Sequence, residues 1–133
     1  MAILIDADVI IKSERGTFDL FGWLDSRPSE EFKLAAITVA ELWHGVERAA
    51  GGHRTKRQRF VEQIFATFEI VSYTEQSAFE HARLWAELET SGRIIGPHDM
   101  ILAATALERG DAVATFNHRH FQAVTGLKVI TPA

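Results

Sequence analysis

Apolar runs and amphipathic stretches alternate along this chain, and the alternation predicts strands and helices in turn. The opening run Ile3–Ile5 holds no polar residue, which is typical of a strand buried on both faces of a parallel sheet. Val39, Leu42 and Val46 instead follow the period of a helix. Five strands are predicted, at residues 2–5, 32–37, 69–73, 112–115 and 127–130. Six helices are predicted, at residues 7–13, 17–26, 38–49, 53–67, 74–91 and 97–109.

This order of elements predicts an α/β fold, a three-layer α/β/α sandwich around a central, mainly parallel five-stranded sheet. A chain of 133 residues is long enough for one domain with its own core, spanning residues 1–133. No run approaches the roughly 20 apolar residues that cross a membrane. Asp6 and Asp8 interrupt the N-terminal apolar run, so no signal peptide is expected.

Composition narrows the chemistry further. The absence of cysteine excludes disulfides, thiolate nucleophiles and cysteine-bound zinc, and it is consistent with the cytoplasmic location that we expect. A net charge of −4 argues against binding nucleic acid through bulk charge alone. One local exception is the segment 53–59, in which Arg54, Lys56, Arg57 and Arg59 could grip phosphates or form a solvated helix face.

Two acids follow the first strand directly. Asp6 ends the apolar run and Asp8 comes one residue later. In a parallel α/β sheet the carboxyl end of a strand is where ligands bind, and a carboxylate buried there needs a partner. Asp6 alone could be a helix N-cap, but Asp8 cannot cap the same position. The pair therefore indicates a cation site.

Two further acids come near the starts of predicted helices. Thr38 and Glu41 have the spacing of a capping box, so Glu41 has a structural interpretation as well as a functional one. Asp99 lies in the first turn of a helix opened by Pro97, where an acid also stabilises the helix dipole. Glu41 nevertheless follows a strand that ends at the same edge of the sheet as Asp6. Asp99 stands at the entrance of a helix whose following residues are apolar, which indicates an interior-facing cleft.

The segment after the fourth strand holds polar residues of less certain meaning. Asn117 is either a turn residue or a site residue, and Thr115 is a candidate RNA contact. His118 and His120 would share one side of an extended segment, but no third nitrogen ligand for zinc lies nearby in the sequence. A surface loop is the simpler interpretation of these histidines.

Taken together, these segments resemble the PIN-domain family, and within it the VapC-type toxins of toxin–antitoxin pairs. The resemblance runs along nearly the whole chain. Its motifs are residues 4–10, 37–42, 95–104 and 114–121, followed by residues 126–129.

The resemblance implies an endoribonuclease that depends on one or two Mg²⁺ or Mn²⁺ ions and hydrolyses RNA with a metal-activated water. Carried over, Asp6, Glu41 and Asp99 hold the metal and, with Asn117, form the catalytic set. Asp8 and Asn117 are additional candidate ligands. The resemblance also implies a homodimer and a small VapB-like antitoxin whose C-terminal segment covers the acidic cleft.

The sequence departs from the family pattern at two positions, and two other functions stay open. Asn117 stands where many relatives have a fourth acid, and Asp8 stands where Asn is usual. A PIN-like module that binds RNA without cleaving it is one alternative. The other is a haloacid-dehalogenase-type phosphatase with Asp6 as nucleophile, although such an enzyme needs a second acid pair after a strand and a later Lys, and here Asp111 precedes its strand and no suitable Lys follows.

Overall fold

A five-stranded sheet, parallel throughout, lies at the centre of the structure, which is a computed structural model describing residues 1–133. The strands are β1 (Ala2–Ile5), β2 (Glu31–Ala35), β3 (Glu69–Val71), β4 (Ala112–Ala114) and β5 (Val129–Ile130), in the order β3-β2-β1-β4-β5. The helices are α1 (Ala7–Glu14), α2 (Leu20–Asp25), α3 (Ala36–Arg48), α4 (Gly51–Thr67), α5 (Glu75–Thr90), α6 (Pro97–Arg109) and α7 (His118–Phe121). None of the seven is both long and apolar enough to cross a membrane.

The central strand β1 separates two apolar cores. Ile3 and Ile5 pack into a core shared with α1, α2, α3 and α4, whereas Leu4 packs into a second core with α5, α6 and α7. This alternation places helices on both faces of the sheet, because successive side chains of a strand point to opposite sides. The predicted three-layer α/β/α sandwich is therefore confirmed.

Sheet register brings the ends of the middle strands together. Ile5 of β1 pairs with Ala114 of β4, and the backbone N–H of Asp6 donates to the carbonyl of Ala114 at 2.9 Å. The residues that follow these two strands, Asp6 and Thr115, are therefore neighbours. The same edge of the sheet receives the end of β2, from which α3 departs.

The start of α3 differs from the prediction. The strand ends at Ala35 and the helix begins at Ala36, two residues earlier than expected, with no side-chain cap. Thr38 lies inside the first turn, fully buried, and its hydroxyl has no hydrogen-bond partner. The capping box of Thr38 and Glu41 is therefore wrong, because Thr38 faces the core as part of the same helical stripe as Leu42 and Val46.

Other boundaries differ by a few residues. The second helix is shorter than residues 17–26, because Asp19 caps it by accepting a hydrogen bond from the N–H of Gly22 at 3.0 Å. The helix predicted at residues 53–67 begins two residues earlier, with Gly51 and Gly52. The third, fourth and fifth strands are each shorter than predicted, since pairing stops where the chain turns into a loop or helix.

Asp111 joins the start of β1 to the turn before β4, and we predict that this contact stabilises the sheet. Its buried carboxylate accepts hydrogen bonds from the N–H of Ala2 at 2.9 Å and from Nε of Arg109 at 2.7 Å. Asp111→Ala leaves the N–H of Ala2 unpaired, so the free energy of unfolding should fall by about 1–3 kcal/mol. Urea unfolding measures this loss.

Asp111→Asn is the matched control, because the amide oxygen can still accept from the N–H of Ala2. Its loss should be smaller than that of Asp111→Ala. Equal unfolding free energies for wild type and Asp111→Ala would contradict a stabilising role.

Candidate active site

Asp6 is the most buried acid at the carboxyl edge of the sheet. It follows β1 directly and is the N-cap of α1, where Oδ1 accepts a hydrogen bond from the N–H of Ala7 at 2.8 Å. Only 4% of the residue is exposed. The N-cap interpretation from sequence is therefore confirmed, and Oδ2 is left to face the neighbouring strand.

Thr115 holds that second oxygen. Its hydroxyl donates to Oδ2 of Asp6 at 2.8 Å and accepts from the backbone N–H of Asn117 at 3.0 Å. Thr115 is fully buried, so the predicted RNA contact through this side chain is wrong. The hydroxyl instead fixes the orientation of Asp6, which is thereby bonded from both its own helix and the adjacent strand.

Asp8 lies beside the loop that follows β4. Its Oδ2 accepts a hydrogen bond from the backbone N–H of Phe116 at 2.9 Å, and its Oδ1 lies 3.3 Å from the hydroxyl of Thr115. The carboxylate of Asp8 is therefore part of the cluster around Asp6, on the side of the loop that follows β4.

Glu41 and Asp99 approach from the two helical layers. Glu41 lies in the second turn of α3 with 28% of its side chain exposed, and Asp99 lies in the first turn of α6 with 20% exposed. Nδ1 of His120 is 2.9 Å from Oδ2 of Asp99, whereas Nδ1 of His98 is 3.8 Å from Oε2 of Glu41. The first contact is a hydrogen bond and the second is a longer electrostatic contact.

Mutual repulsion links the four acids electrostatically. Burial, followed by the nearby charge of Asp8 and then by those of Asp99 and Glu41, raises the pKa of Asp6 from its ordinary 3.8 to about 7, against the lowering effect of the Thr115 hydrogen bond. Burial also raises the pKa of Asp8 and of Glu41. The three acids expected to bind metal are thus brought to one edge of the sheet, close enough to act on one another.

The cluster is not a finished ligand set. No three Asp, Glu or His side chains of the chain meet in an arrangement that could hold a metal ion as they stand. Asp6 and Asp8 are bonded to local donors and Asp99 to His120, while Glu41 has no hydrogen bond. The donor chemistry nevertheless fits a hard divalent cation, because it consists of carboxylate oxygens around a buried, unneutralised charge.

The loop after β4 differs from the sequence interpretation. Residues 118–121 form a one-turn helix, so His118 and His120 do not alternate as in an extended segment. The side chain of Asn117 is exposed and makes no cap bond; its backbone N–H holds Thr115. The sequence did not predict the contact of His120 with Asp99, because the only signal was a pair of histidines within the motif at residues 114–121.

Basic side chains line a groove that leads away from Glu41 between α1, α3 and α4. We call this the basic groove. It consists of three adjoining hollows that share Arg15 and Arg57, and the other basic lining residues are Arg48, His53 and Lys56. Glu14 also lines two of the hollows, and the one beside Glu41 and Gly45 has an apolar floor.

Only part of the basic segment at residues 53–59 lines the basic groove. Lys56 and Arg57 line the basic groove, and Arg57 also lies 3.3 Å from Glu14. Arg54 pairs with Glu47 at 3.2 Å outside the groove. Arg59 is exposed but does not line the basic groove.

Comparison with known proteins finds similarity along nearly the whole chain. The PIN domain family matches residues 3–127. Ribonuclease VapC1 of Rickettsia felis is 32% identical over 132 residues, which cover 98% of this chain and 96% of that protein. VapC ribonuclease Y4jK of Sinorhizobium fredii is 34% identical over 136 residues, with 98% and 96% covered.

Solved structures agree with the fold. VapBC2 from Rickettsia felis, bound to a DNA fragment from its promoter, has a TM-score of 0.91 at 21% identity and covers all of both chains. FitAcB from Neisseria gonorrhoeae has a TM-score of 0.83 at 33% identity, covering 98% of this chain and 97% of that one. The acids at the carboxyl edge of the sheet, the family match and these relatives agree, and the chain belongs to the PIN-domain family and, within it, to the VapC proteins.

Proposed function

We propose that this protein is an endoribonuclease, the toxin of a toxin–antitoxin pair, that hydrolyses RNA phosphodiester bonds with the help of a divalent cation. The observation that carries the proposal is the buried carboxyl group of Asp6, whose pKa is raised to about 7 by burial and by three neighbouring acids. A cation offsets that concentration of negative charge. The full-length relatives named as VapC ribonucleases support RNA as the substrate.

Asp6, Glu41 and Asp99 are the residues that would hold Mg²⁺ or Mn²⁺, with Asp8 and Asn117 as additional oxygen donors for one or two ions. A bound ion of this kind supplies an activated water and neutralises charge that develops on the phosphate. Oxygen donors alone suit these two metals and not zinc.

The protein's own part in the reaction is to hold and orient these groups. The hydrogen bonds of Asp6 with Ala7 and Thr115 keep its carboxylate in one position before substrate arrives. Preorganised charge of this kind costs no rearrangement when the reaction begins. The backbone N–H of Asn117 is bonded to Thr115, and its exposed side-chain amide can donate a hydrogen bond to a phosphate oxygen or to a water.

The basic groove is the proposed path of the RNA backbone. It starts at Glu41 and continues past Arg15, Arg57 and Lys56, so a strand lying in it would reach the acids with its phosphates already neutralised. Arg54 and Arg59 lie outside this path.

We also propose a small VapB-like antitoxin as the cognate partner and a homodimer as the working assembly. Structures of related proteins in VapBC complexes support the first of these. Since the proposed substrate is cellular RNA, we place this activity in the cytoplasm.

Removal of one carboxylate charge should slow cleavage strongly. Asp6→Asn, Glu41→Gln and Asp99→Asn each keep the side-chain shape but weaken the hold on the cation, so the rate of RNA cleavage with Mn²⁺ should fall roughly 100-fold or more. The rate is measured on purified RNA, with cut ends mapped. Products should carry 5′-phosphate and 3′-hydroxyl groups, as attack by water requires.

Asp25→Asn is the matched control, because Asp25 is an exposed acid at the end of α2. Its rate should equal that of the wild type. If Asp6→Asn and the wild type leave RNA equally intact, the protein is a binding module and not a nuclease.

The raised pKa of Asp6 predicts a pH dependence of stability. The folded chain protonates Asp6 near pH 7 and the unfolded chain near pH 3.8, so between these values the folded state binds more protons. The free energy of unfolding should therefore fall as the pH rises from 4 to 7, by up to about 1.4 kcal/mol per pH unit from this group. Asp6→Asn should lack this component, so its unfolding free energy relative to wild type rises with pH.

Mn²⁺ should counteract this loss of stability at higher pH, because it neutralises the ionised carboxylates. At pH 7.5 the ionised cluster binds the cation and the melting temperature rises, whereas at pH 5.5 protons compete and the rise is smaller. Thermal unfolding with and without Mn²⁺ at each pH measures the two rises in melting temperature. A cation-induced rise that is equal at the two pH values, or unchanged in Asp6→Asn, would place cation binding elsewhere.

Lys56 should contribute to RNA binding. Lys56→Gln removes one phosphate contact, so binding of single-stranded RNA should weaken and the slope of log K against log salt should drop by roughly 0.7. Arg59→Gln, on the same helix but outside the basic groove, is the matched control and should bind as the wild type does. Equal effects of the two substitutions would argue against the basic groove as the RNA path.

A further inference from the structure

His120 contacts one of the acids from a neighbouring element. Its Nδ1 lies 2.9 Å from Oδ2 of Asp99, and an ionised carboxylate can only accept a hydrogen bond, so the imidazole Nδ1–H is the donor. We infer that His120 is a positioning residue that orients Asp99 toward the divalent cation. This inference rests on the proposed function.

The fold determines where this imidazole lies. Phe121, the next residue, is 1% exposed and packs into the core beside Leu102 and Ala103 of α6. The N–H of His120 also donates to the carbonyl of Asn117 at 3.0 Å, which closes the single turn of α7. Because α7 is anchored against the helix that carries Asp99, the contact between the two side chains is part of the packing of α6 and α7.

Such a contact changes what Asp99 can do. With Oδ2 held by His120, the carboxylate has one orientation and its Oδ1 stays available to a cation. Less side-chain freedom is then lost when the cation binds. Groups that hold a metal-binding side chain in this way typically contribute about 10- to 100-fold to metal affinity.

The other histidines near the cluster do not make this contact. His118 lies in the same turn, but its Nδ1 is 3.4 Å from Nε2 of Gln122 and contacts no acid. His98 stays 3.8 Å from Glu41, which is beyond hydrogen-bond distance. The inference therefore concerns His120 alone, and His118 offers a control of the same residue type.

Mn²⁺ affinity of the full chain tests the inference without relying on cleavage. Free Mn²⁺, followed by electron paramagnetic resonance during titration, gives the Kd for wild type, His120→Ala, His120→Asn, His118→Ala and Asp99→Asn. His120→Ala should weaken binding about 10-fold or more. His120→Asn should stay within about threefold of wild type, because its amide nitrogen stands as many bonds from Cα as Nδ1 and can donate in its place. His118→Ala should bind as the wild type does.

Cleavage adds a second readout. In His120→Ala, raising the Mn²⁺ concentration should restore the rate of RNA cleavage toward that of wild type, since a positioning residue changes occupancy more than chemistry. Far-ultraviolet circular dichroism checks that each variant is folded.

Each contrary result has its own meaning. Equal Mn²⁺ affinity in His120→Ala and wild type overturns the inference. A loss of Mn²⁺ affinity in His120→Asn as large as that in His120→Ala also overturns it, because a hydrogen-bond donor at this position would then not restore binding. If Asp99→Asn binds Mn²⁺ as the wild type does, the proposed metal site itself fails, irrespective of His120.

Discussion

The buried carboxyl group of Asp6 at the end of the central strand is the constraint on which the rest of the site depends. A carboxylate in that position is costly unless donors meet both of its oxygens. The N–H of Ala7 and the hydroxyl of Thr115 do so, and each donor exists only because of the fold. The first requires α1 to begin directly after β1, and the second requires β4 to lie beside β1 with Ile5 opposite Ala114. Sheet register and site geometry are therefore one arrangement.

Hydrogen bonds offset only part of the free-energy cost of burying carboxylates at this edge of the sheet. Burial and the three other acids at this edge raise the pKa of Asp6, and the donors at Asp8 and Asp99 satisfy oxygens without removing the net negative charge. The folded chain without a cation thus retains an electrostatic penalty near neutral pH. That penalty favours cation binding, since a divalent ion is the ligand that reduces it most. Stability and proposed activity are coupled through the same few side chains.

The local sequence pattern predicted most of this fold. Strands buried on both faces leave short apolar runs, and amphipathic helices leave a helical period. The run before Asp6 and the helix 97–109 are examples, and the order of elements sufficed to bring the acids to one edge. The pattern misplaced the start of α3, since β-branched residues around Thr38 are equally compatible with a strand and with a buried helical stripe. It also missed the hydroxyl of Thr115 on Asp6 and the contact of His120 with Asp99. Both join residues far apart in sequence, and neither residue type carries a periodic signal.

The positions of Asp8 and Asn117 have an electrostatic consequence. Asp8 is held by the N–H of Phe116, directly before Asn117, so the two residues lie close to one loop. The negative charge of Asp8 lies in the first turn of α1, where a backbone donor stabilises it. The loop then presents Asn117, Arg119 and His120 to the solvent and no acid. A polyanion approaching the cluster meets less repulsion at this side, while the charge that a cation requires is kept within the cluster.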